Sequence, residues 1–159
     1  MMSKIYSLAE LKEILATEKE AGAKVVFTNG CFDLLHVGHT RYLAEAKTNG
    51  DLLVVGLNSD TSVQALKGEK RPLISEQERA ELLANLEVVD YITIFAEKTA
   101  SKVIAKLQPN VYVKGGDYKI EELPEARVVN EYGGQIKLVS EIKGASTTKI
   151  VNKILKTYG

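Results

Sequence analysis

Residues 24–43, KVVFTNGCFDLLHVGHTRYL, contain the pattern that decides the fold. The apolar run Val25–Phe27 predicts a buried strand, Asn29-Gly30 predicts a turn, and a helical pattern follows. The only two histidines of the chain, His36 and His39, are three residues apart and therefore point the same way on a helical turn. Small residues let a ligand approach the backbone, and free N–H groups at a helix start attract anions. The stretch therefore predicts a phosphate-binding site between a strand and a helix.

The composition is that of an ordinary globular protein. With 159 residues, of which 45% are apolar and 26% are charged, the chain is long enough for one domain with a substantial core. We expect a single domain over residues 1–159, with its core at about 24–155 and an N-terminal helix over 7–21. The formal net charge of zero argues against a nucleic-acid partner, because proteins that bind nucleic acid carry a basic surface.

Cysteine content and apolar segments bear on the cellular compartment. A single cysteine, Cys31, cannot form an intramolecular disulfide and fits a reducing environment. The N-terminal residues carry charges throughout rather than the apolar core of a signal peptide, and no stretch has the apolar length of a membrane span. We therefore expect a cytoplasmic protein without a membrane partner.

Strand and helix patterns alternate along the chain. Predicted strands cover about residues 25–28, 51–58, 89–95, 111–113 and 135–139. Predicted helices cover about residues 7–21, 38–48, 59–66, 75–86, 99–107, 126–132 and 146–155. The predicted N-caps include Ser7, Ser75 and Thr99, and the apolar side of the helix after Ser75 is expected to contain Leu82, Leu83 and Leu86. This alternation predicts an α/β fold: a single-domain, Rossmann-like, doubly wound five-stranded parallel sheet with helices on both faces.

Four polar clusters follow strands of this predicted sheet. They are Thr28–His39, Lys67–Arg71, Lys114–Asp117 and Ser146–Thr148. Ligands of open α/β sheets bind at the carboxyl ends of the strands. The clusters are therefore expected to converge on one binding site.

Several common sites are absent from the sequence. It contains neither the GxGxxG dinucleotide fingerprint nor the GxxxxGK[ST] phosphate loop, and no histidines and cysteines at zinc spacing, so no metal ligands are predicted. Cys31 is interpreted as a packing residue rather than a nucleophile, because no nearby group is arranged as its base.

Several motifs, taken in order, resemble a known superfamily. The segment TNGCFDLLHVGHTRYL resembles the nucleotidyltransferases that carry the HxGH signature. Further segments, LKGEKRP, SEQERAELLANLEVVDYI, PNVYVKGGDY and GASTTKI, are similar to the adenylyltransferase domain of the bifunctional heptose 7-phosphate kinase/heptose 1-phosphate adenylyltransferase. The resemblance implies transfer of a nucleotidyl group, with ATP as the favoured donor, to D-glycero-D-manno-heptose 1-phosphate. The products would be ADP-heptose, used for lipopolysaccharide, and pyrophosphate.

The resemblance also implies roles for individual residues. The implied catalytic residues are His36, His39, Lys114 and Arg79. The implied nucleotide-binding residues are Thr28, Asn29, Gly30, Cys31, Phe32, His36, Gly38, His39, Gly115, Asp117, Ser146, Thr147 and Thr148. Lys67 and Arg71 would neutralise phosphate charge, and Asp33 is expected to order its loop rather than to act as a base.

Each role has an ordinary structural alternative. The alternative for Lys67 and Arg71 is an exposed surface loop, and the alternative for Arg79 is a salt bridge on a helix face. N-capping explains one of the three hydroxyl residues at 146–148, but not all three.

Donor, acceptor and partners stay open at this point. Glycerol 3-phosphate cytidylyltransferases carry an RTEG-type segment where this chain has Glu141-Ile142-Lys143-Gly144, which weakens a cytidylyltransferase assignment. Transfer from CTP or GTP, or to glycerol 3-phosphate or FMN, and a non-catalytic nucleotide-binding module are the alternatives. The resemblance implies Mg²⁺ with the triphosphate, a homodimer, and a separate sugar kinase that supplies the acceptor.

Overall fold

The computed structural model describes residues 3–140 and 143–159. The helices are α1 (Leu8–Glu20), α2 (Val37–Lys47), α3 (Asp60–Lys67), α4 (Glu76–Ala84), α5 (Ser101–Leu107), α6 (Ala126–Glu131) and α7 (Thr147–Tyr158). The strands are β1 (Val25–Gly30), β2 (Leu52–Asn58), β3 (Tyr91–Phe95), β4 (Val111–Gly115) and β5 (Gln135–Val139), and a 3₁₀ turn covers Ile120–Glu122.

The five strands form one parallel sheet with the order β3-β2-β1-β4-β5. β1 and β2 pair in register from Val25 with Leu52 to Gly30 with Leu57, so both strands end at the same edge. The helical crossovers place helices on both faces, as parallel sheets require. The predicted Rossmann-like α/β fold is confirmed.

Alternate residues of the strands fill two separate apolar layers. On one face, Val26 and Val55 pack with Leu43 of α2 and Leu83 of α4. On the other face, the layer is formed by residues of the strands together with α1, α5 and α6; it includes Val25, Phe27, Val54, Leu11, Leu15, Ile104 and Val129. The side-chain period of two in a strand produces this division. As a result, α2 and α6 start on opposite sides of the same sheet edge.

Capping residues were predicted with mixed success. Ser7 and Ser75 both form capping boxes, with Glu10 and Glu78 respectively, as predicted. Thr99 does not cap α5: the N-cap is Ala100, which has no side-chain bond to the helix. The hydroxyl of Thr99 lies instead 3.3 Å from that of Ser101, which offers it a nearer acceptor.

The apolar side of α4 also differs from the prediction. Leu83 is fully buried, but Leu82 is 44% exposed. Leu86 packs against the core from beyond the end of α4 at Ala84. A residue next to Leu83 is turned by about 100° around the helix axis, so that both cannot face the sheet. Ala80, three residues before Leu83, lies on the buried side instead.

Within the parts of the chain that the structure describes, no helix has both the length and the apolar character needed to cross a membrane.

Candidate functional site

A cleft of about 1020 Å³ opens at the carboxyl ends of the strands. The segments that follow β1, β3 and β4 meet there, together with the end of α3 and the starts of α2 and α7. The lining includes Asn29, Gly30, Cys31, Phe32, His36, Gly38, His39, Lys67, Arg71, Lys114, Gly115, Ser146, Thr147 and Thr148. Most of the predicted site residues are therefore brought together, although their roles remain predictions.

The two histidines are fixed by backbone hydrogen bonds at the start of α2. The Nδ1 atom of His36 accepts from the N–H of Gly38 at 3.1 Å, and the Nδ1 atom of His39 accepts from the N–H of His36 at 3.4 Å. The rings stack with their centroids 3.8 Å apart. Since both Nδ1 atoms are acceptors, a neutral ring carries its proton on Nε2. Each histidine thus keeps one N–H group for a ligand.

The surroundings hold both rings in the neutral form. Burial, then the positive charge of His36 and of Lys67, lowers the pKa of His39 from 6.5 to about 4. Burial also lowers the pKa of His36. At neutral pH the pair is therefore two neutral hydrogen-bond donors rather than two cations.

Asp33 orders the loop between β1 and α2, as predicted. Its buried carboxylate accepts the backbone N–H groups of Leu73 at 2.9 Å and Ile74 at 3.1 Å, and it pairs with Arg71 at 3.2 Å. The hydroxyl of Thr147 donates to the carbonyl oxygen of Asp33. Through its carboxylate and its backbone carbonyl, Asp33 thereby joins three segments of the cleft wall, and both carboxylate oxygens accept hydrogen bonds.

Four basic side chains line the cleft: Lys98 and three that the sequence predicted. Lys67 is exposed at the end of α3, Arg71 is held by Asp33, and Lys114 lies at the end of β4. The ammonium group of Lys114 lies 6.0 Å from the centre of the Tyr118 ring, at the limit of a cation–π contact. Lys67 and Arg71 therefore face the cleft rather than the outer surface alone.

The start of α7 closes the cleft beside the histidines. The hydroxyl of Ser146 accepts the N–H of Lys149 at 3.1 Å, which is ordinary capping, while Thr148 is exposed to the cleft. A Cβ atom on Gly38 would lie 2.8 Å from that of Ala145. Only glycine at position 38 allows the starts of α2 and α7 to approach this closely.

Three predicted site residues do not line the cleft. The hydroxyl of Thr28 is buried 2.6 Å from that of Tyr42, and Asp117 is exposed outside the lining. Arg79 is fully buried, so the expectation that it contacts substrate does not match its position. It donates instead to the carbonyl oxygens of Cys31, Asn58 and Ile74 and pairs with Asp60 at 2.7 Å.

Sequence reasoning missed several residues of the lining. Lys98 and Thr99 follow β3 and could have been found by the same strand-end rule that found the other clusters. Tyr42 lies one helical turn after His39, and burial raises its pKa to about 12. Glu125 does not directly follow a strand, and no sequence pattern indicates that it lines the cleft.

Comparison with known proteins gives one family and several relatives. Residues 27–153 match the profile of the family described as "Cytidylyltransferase-like". The "Bifunctional protein HldE" of Geobacter sulfurreducens is 54% identical over 157 residues, which are 99% of this chain and 32% of that protein. The protein of the same name from Geobacter metallireducens is 56% identical with the same coverage. The chain thus spans about a third of the length of these curated relatives.

Solved structures share the fold. The "lipopolysaccharide core biosynthesis protein" of Thermoplasma volcanium GSS1 is 32% identical with a TM-score of 0.61, and the match covers 78% of this chain and 100% of that one. A pantoate-beta-alanine ligase from Francisella tularensis is 16% identical with a TM-score of 0.63, covering 98% of this chain and 78% of its own. The second likeness concerns the fold alone.

Proposed function

Because the chain belongs to the cytidylyltransferase-like family, we propose that it is a nucleotidyltransferase that joins ATP to D-glycero-D-manno-heptose 1-phosphate. The observation that carries this proposal is the stacked pair of neutral histidines at the head of a cleft of about 1020 Å³. Their Nε2–H groups have no hydrogen-bond partner among the described residues. The relatives named HldE and the motif resemblance support the choice of a heptose phosphate.

The proposed reaction is a displacement at the α-phosphorus of the nucleotide. A phosphate oxygen of the sugar 1-phosphate forms a bond to the α-phosphorus, and the bond from that phosphorus to the oxygen bridging to the β-phosphate breaks. Pyrophosphate leaves with the electron pair. Since the second pKa of a phosphate monoester is about 6, the attacking oxygen needs no general base at neutral pH. Catalysis then consists of positioning and charge stabilisation.

The cleft residues fit these two tasks. His36 and His39 donate Nε2–H bonds to oxygens of the reacting and departing phosphates, whose charge grows in the transition state. Lys114 neutralises the reacting phosphates, and Lys67 and Arg71 hold further phosphate charge. Backbone groups of Asn29, Gly30, Cys31, Phe32 and Gly115, with Ser146, Thr147 and Thr148, hold the nucleotide.

Arg79 acts indirectly in this proposal, through the backbone groups that it holds. Its guanidinium group fixes the carbonyl oxygens of Cys31 and Asn58, which belong to the segments that follow β1 and end β2. We therefore assign it to positioning the cleft wall and not to contact with the substrate.

Magnesium enters with the nucleotide as the substrate complex. Mg²⁺ keeps several waters and is bound mainly by the phosphates of its nucleotide, so it requires few protein ligands. Among residues 3–140 and 143–159, no group of three or more histidine, cysteine or acidic side chains could hold a metal ion. The basic side chains that line the cleft can neutralise phosphate oxygens that the Mg²⁺ ion does not bind.

The biological setting is also a proposal. A separate sugar kinase supplies the heptose 1-phosphate, the product feeds lipopolysaccharide synthesis, and the chain acts in the cytoplasm as a homodimer. The name of the Thermoplasma relative supports the polysaccharide setting. Glu141 and Ile142, which replace part of the cytidylyltransferase RTEG segment, lie outside the described residues. The base preference therefore rests on the motif resemblance alone.

Pyrophosphate release tests the proposed function. The full chain is incubated with Mg²⁺, with ATP, CTP or GTP, and with heptose 1-phosphate, glycerol 3-phosphate or FMN. We expect release with ATP and heptose 1-phosphate above every other pair. Release with CTP in place of ATP would overturn the proposed donor, release with another acceptor would overturn the proposed sugar, and silence with all pairs would favour a non-catalytic binding module.

A further inference from the structure

The cleft has a second wall that the reaction described above does not use. This α5–α6 wall consists of Lys98, Thr99, Leu123, Pro124 and Glu125. The helix that carries the histidines packs on one face of the sheet, whereas α5 and α6 pack on the other. The α5–α6 wall therefore stands across the carboxyl edge of the sheet from the histidine pair.

Glu125 is the unusual residue of this wall. Its side chain is 2% exposed, and its Oε1 atom accepts the N–H of Ala100 at 3.2 Å. Its Oε2 atom is buried and has no hydrogen-bond partner among the described residues. Buried polar atoms in proteins are nearly always paired, because an unpaired one loses its bonds to water without replacement. Oε2 of Glu125 therefore lacks a hydrogen-bond donor. Because Glu125 lines the cleft, a ligand bound there could supply that donor.

The position of the carboxylate relative to the cleft floor is shown by its neighbours. Burial, then the negative charge of Glu125, raises the pKa of Tyr112. The hydroxyl of Tyr112 donates to Oδ1 of Asn29 at 2.7 Å, and Asn29 lines the cleft at the end of β1. Glu125 is therefore close enough to the floor of the cleft for its charge to act on Tyr112.

We propose that Oε2 of Glu125 accepts a hydrogen bond from a hydroxyl group of the acceptor sugar, and that Glu125 thereby selects a sugar phosphate over other phosphate monoesters. The inference rests on the proposed function. The negative charge of Glu125 repels the phosphate of the acceptor, so the polyhydroxylated body of the sugar is the part that suits this residue. A hydroxyl donor satisfies one unpaired oxygen, whereas a bound Mg²⁺ or Ca²⁺ ion requires six or more oxygen ligands.

The direction of attack places the sugar on this side. In the proposed reaction the triphosphate of the donor lies against the starts of α2 and α7, and the attacking and leaving oxygens are roughly in line across the α-phosphorus. An acceptor that attacks opposite the leaving pyrophosphate extends away from the histidine side. Its sugar body then reaches the α5–α6 wall.

Substitution Glu125→Gln tests the role of Oε2 separately from that of Oε1. Glutamine has nearly the same shape and keeps one oxygen for the N–H of Ala100, while its NH₂ group replaces the free acceptor with a donor. The matched control is Glu121→Gln, the same change at an exposed residue outside the cleft lining. Thermal unfolding of both variants establishes that they fold.

The measurement compares two acceptors in calorimetric titrations of the full chain. Heptose 1-phosphate carries hydroxyl groups, and cyclohexyl phosphate carries a ring and a phosphate without them. We expect the wild-type chain to bind the sugar phosphate at least about tenfold more tightly, as for a hydrogen bond to a charged group. In Glu125→Gln this ratio should fall by about tenfold, while the affinities for cyclohexyl phosphate and ATP change less than about twofold.

The outcomes separate this inference from the proposed function. A ratio that stays the same in Glu125→Gln overturns the role of Glu125, even if pyrophosphate release with heptose 1-phosphate stands. Equal losses for both acceptors and for ATP also overturn it, because they indicate a general structural role. If the wild-type chain neither binds heptose 1-phosphate nor releases pyrophosphate with it, the proposed function itself has failed.

Discussion

His36 and His39 differ from a general acid pair because their Nδ1 atoms are occupied by backbone N–H groups. A protonated imidazole has an N–H on both nitrogens and cannot accept these bonds. The capping of α2 and the chemistry of the cleft therefore favour the same neutral form. In the proposed reaction the histidines stabilise charge as hydrogen-bond donors and lose no proton.

Substitution His39→Asn tests the donor role. The amide oxygen of asparagine can replace Nδ1 as the acceptor for His36, but no group replaces the Nε2–H. We expect kcat for pyrophosphate release to fall by about 10²- to 10³-fold, as when one donor to a developing oxyanion is removed. The free energy of unfolding should change by less than about 1 kcal/mol. Val37→Ala, at an exposed residue outside the cleft, is the control, and unchanged turnover in His39→Asn would remove His39 from the catalytic residues.

The lowered pKa of His39 also predicts how stability depends on pH. Its pKa is 6.5 in the unfolded chain and about 4 in the folded chain, so between these values the unfolded chain binds the proton preferentially. The contribution to stability is complete above pH 6.5 and is lost as the pH falls through 4. The free energy of unfolding, measured with urea, should therefore decrease more steeply over this pH window for the wild type than for His39→Asn. Parallel pH profiles for the two chains would contradict the lowered pKa.

At the scale of elements, Arg79 connects segments that are distant in sequence. Its three carbonyl acceptors belong to the loop after β1, the end of β2 and the residue before the N-cap of α4. A helix, a strand and a loop thereby depend on one buried guanidinium group. The same group fixes Cys31, whose neighbours line the cleft.

Substitution Arg79→Met removes these bonds while keeping an apolar stem of similar length. Three carbonyl oxygens, of which that of Asn58 is buried, lose their donor, and Asp60 loses its partner, so we expect a loss of about 3 kcal/mol in the free energy of unfolding. We also expect a higher KM for ATP, because the loop after β1 is no longer held. The control is Arg127→Met, at an exposed pair with Glu131, where a change within about 0.5 kcal/mol is expected. Equal effects of the two substitutions in denaturant unfolding would contradict the connecting role.

Elements were predicted well where the pattern was local and repeated. The apolar run of β2 and the capping boxes at Ser7 and Ser75 depend on neighbouring residues, and they are correct within one or two residues. Strand β1 extends to Gly30 and β4 to Gly115, beyond the predicted ends, because pairing with adjacent strands continues into the polar residues.

The site was predictable only in part, for a related reason. The clusters around His36, Lys114 and Ser146 follow strands directly or open a helix, and they line the cleft as expected. The burial of Arg79 and the exposure of Leu82 depend on the angle at which α4 packs, which no local pattern specifies. Glu125 reaches the cleft through tertiary packing of α6 against α5, and the sequence contains no signal of that contact.

For the whole molecule, the apolar residues in the second half of α7 are exposed in the single chain. Its apolar side continues the predicted stripe of Ile150, Val151, Ile154 and Leu155, but Ile154 is 49% exposed and Leu155 is 62% exposed. Tyr158 follows one turn after Ile154 and is 85% exposed. An amphipathic helix gains most of its stability by burying its apolar face. In the proposed homodimer, a second copy of α7 would cover this face.

Substitution Leu155→Asp therefore tests the homodimer. A charge in the middle of an apolar interface is left unpaired and desolvated, so we expect the dissociation constant of the dimer to rise by at least about tenfold. Sedimentation equilibrium over a range of protein concentrations measures this constant. Lys153→Asp, at an exposed polar residue on the other side of α7, introduces the same side chain and should leave the dimer intact. A wild-type chain that stays monomeric at all concentrations, or a dimer that both substitutions affect equally, would contradict assembly through this face of α7.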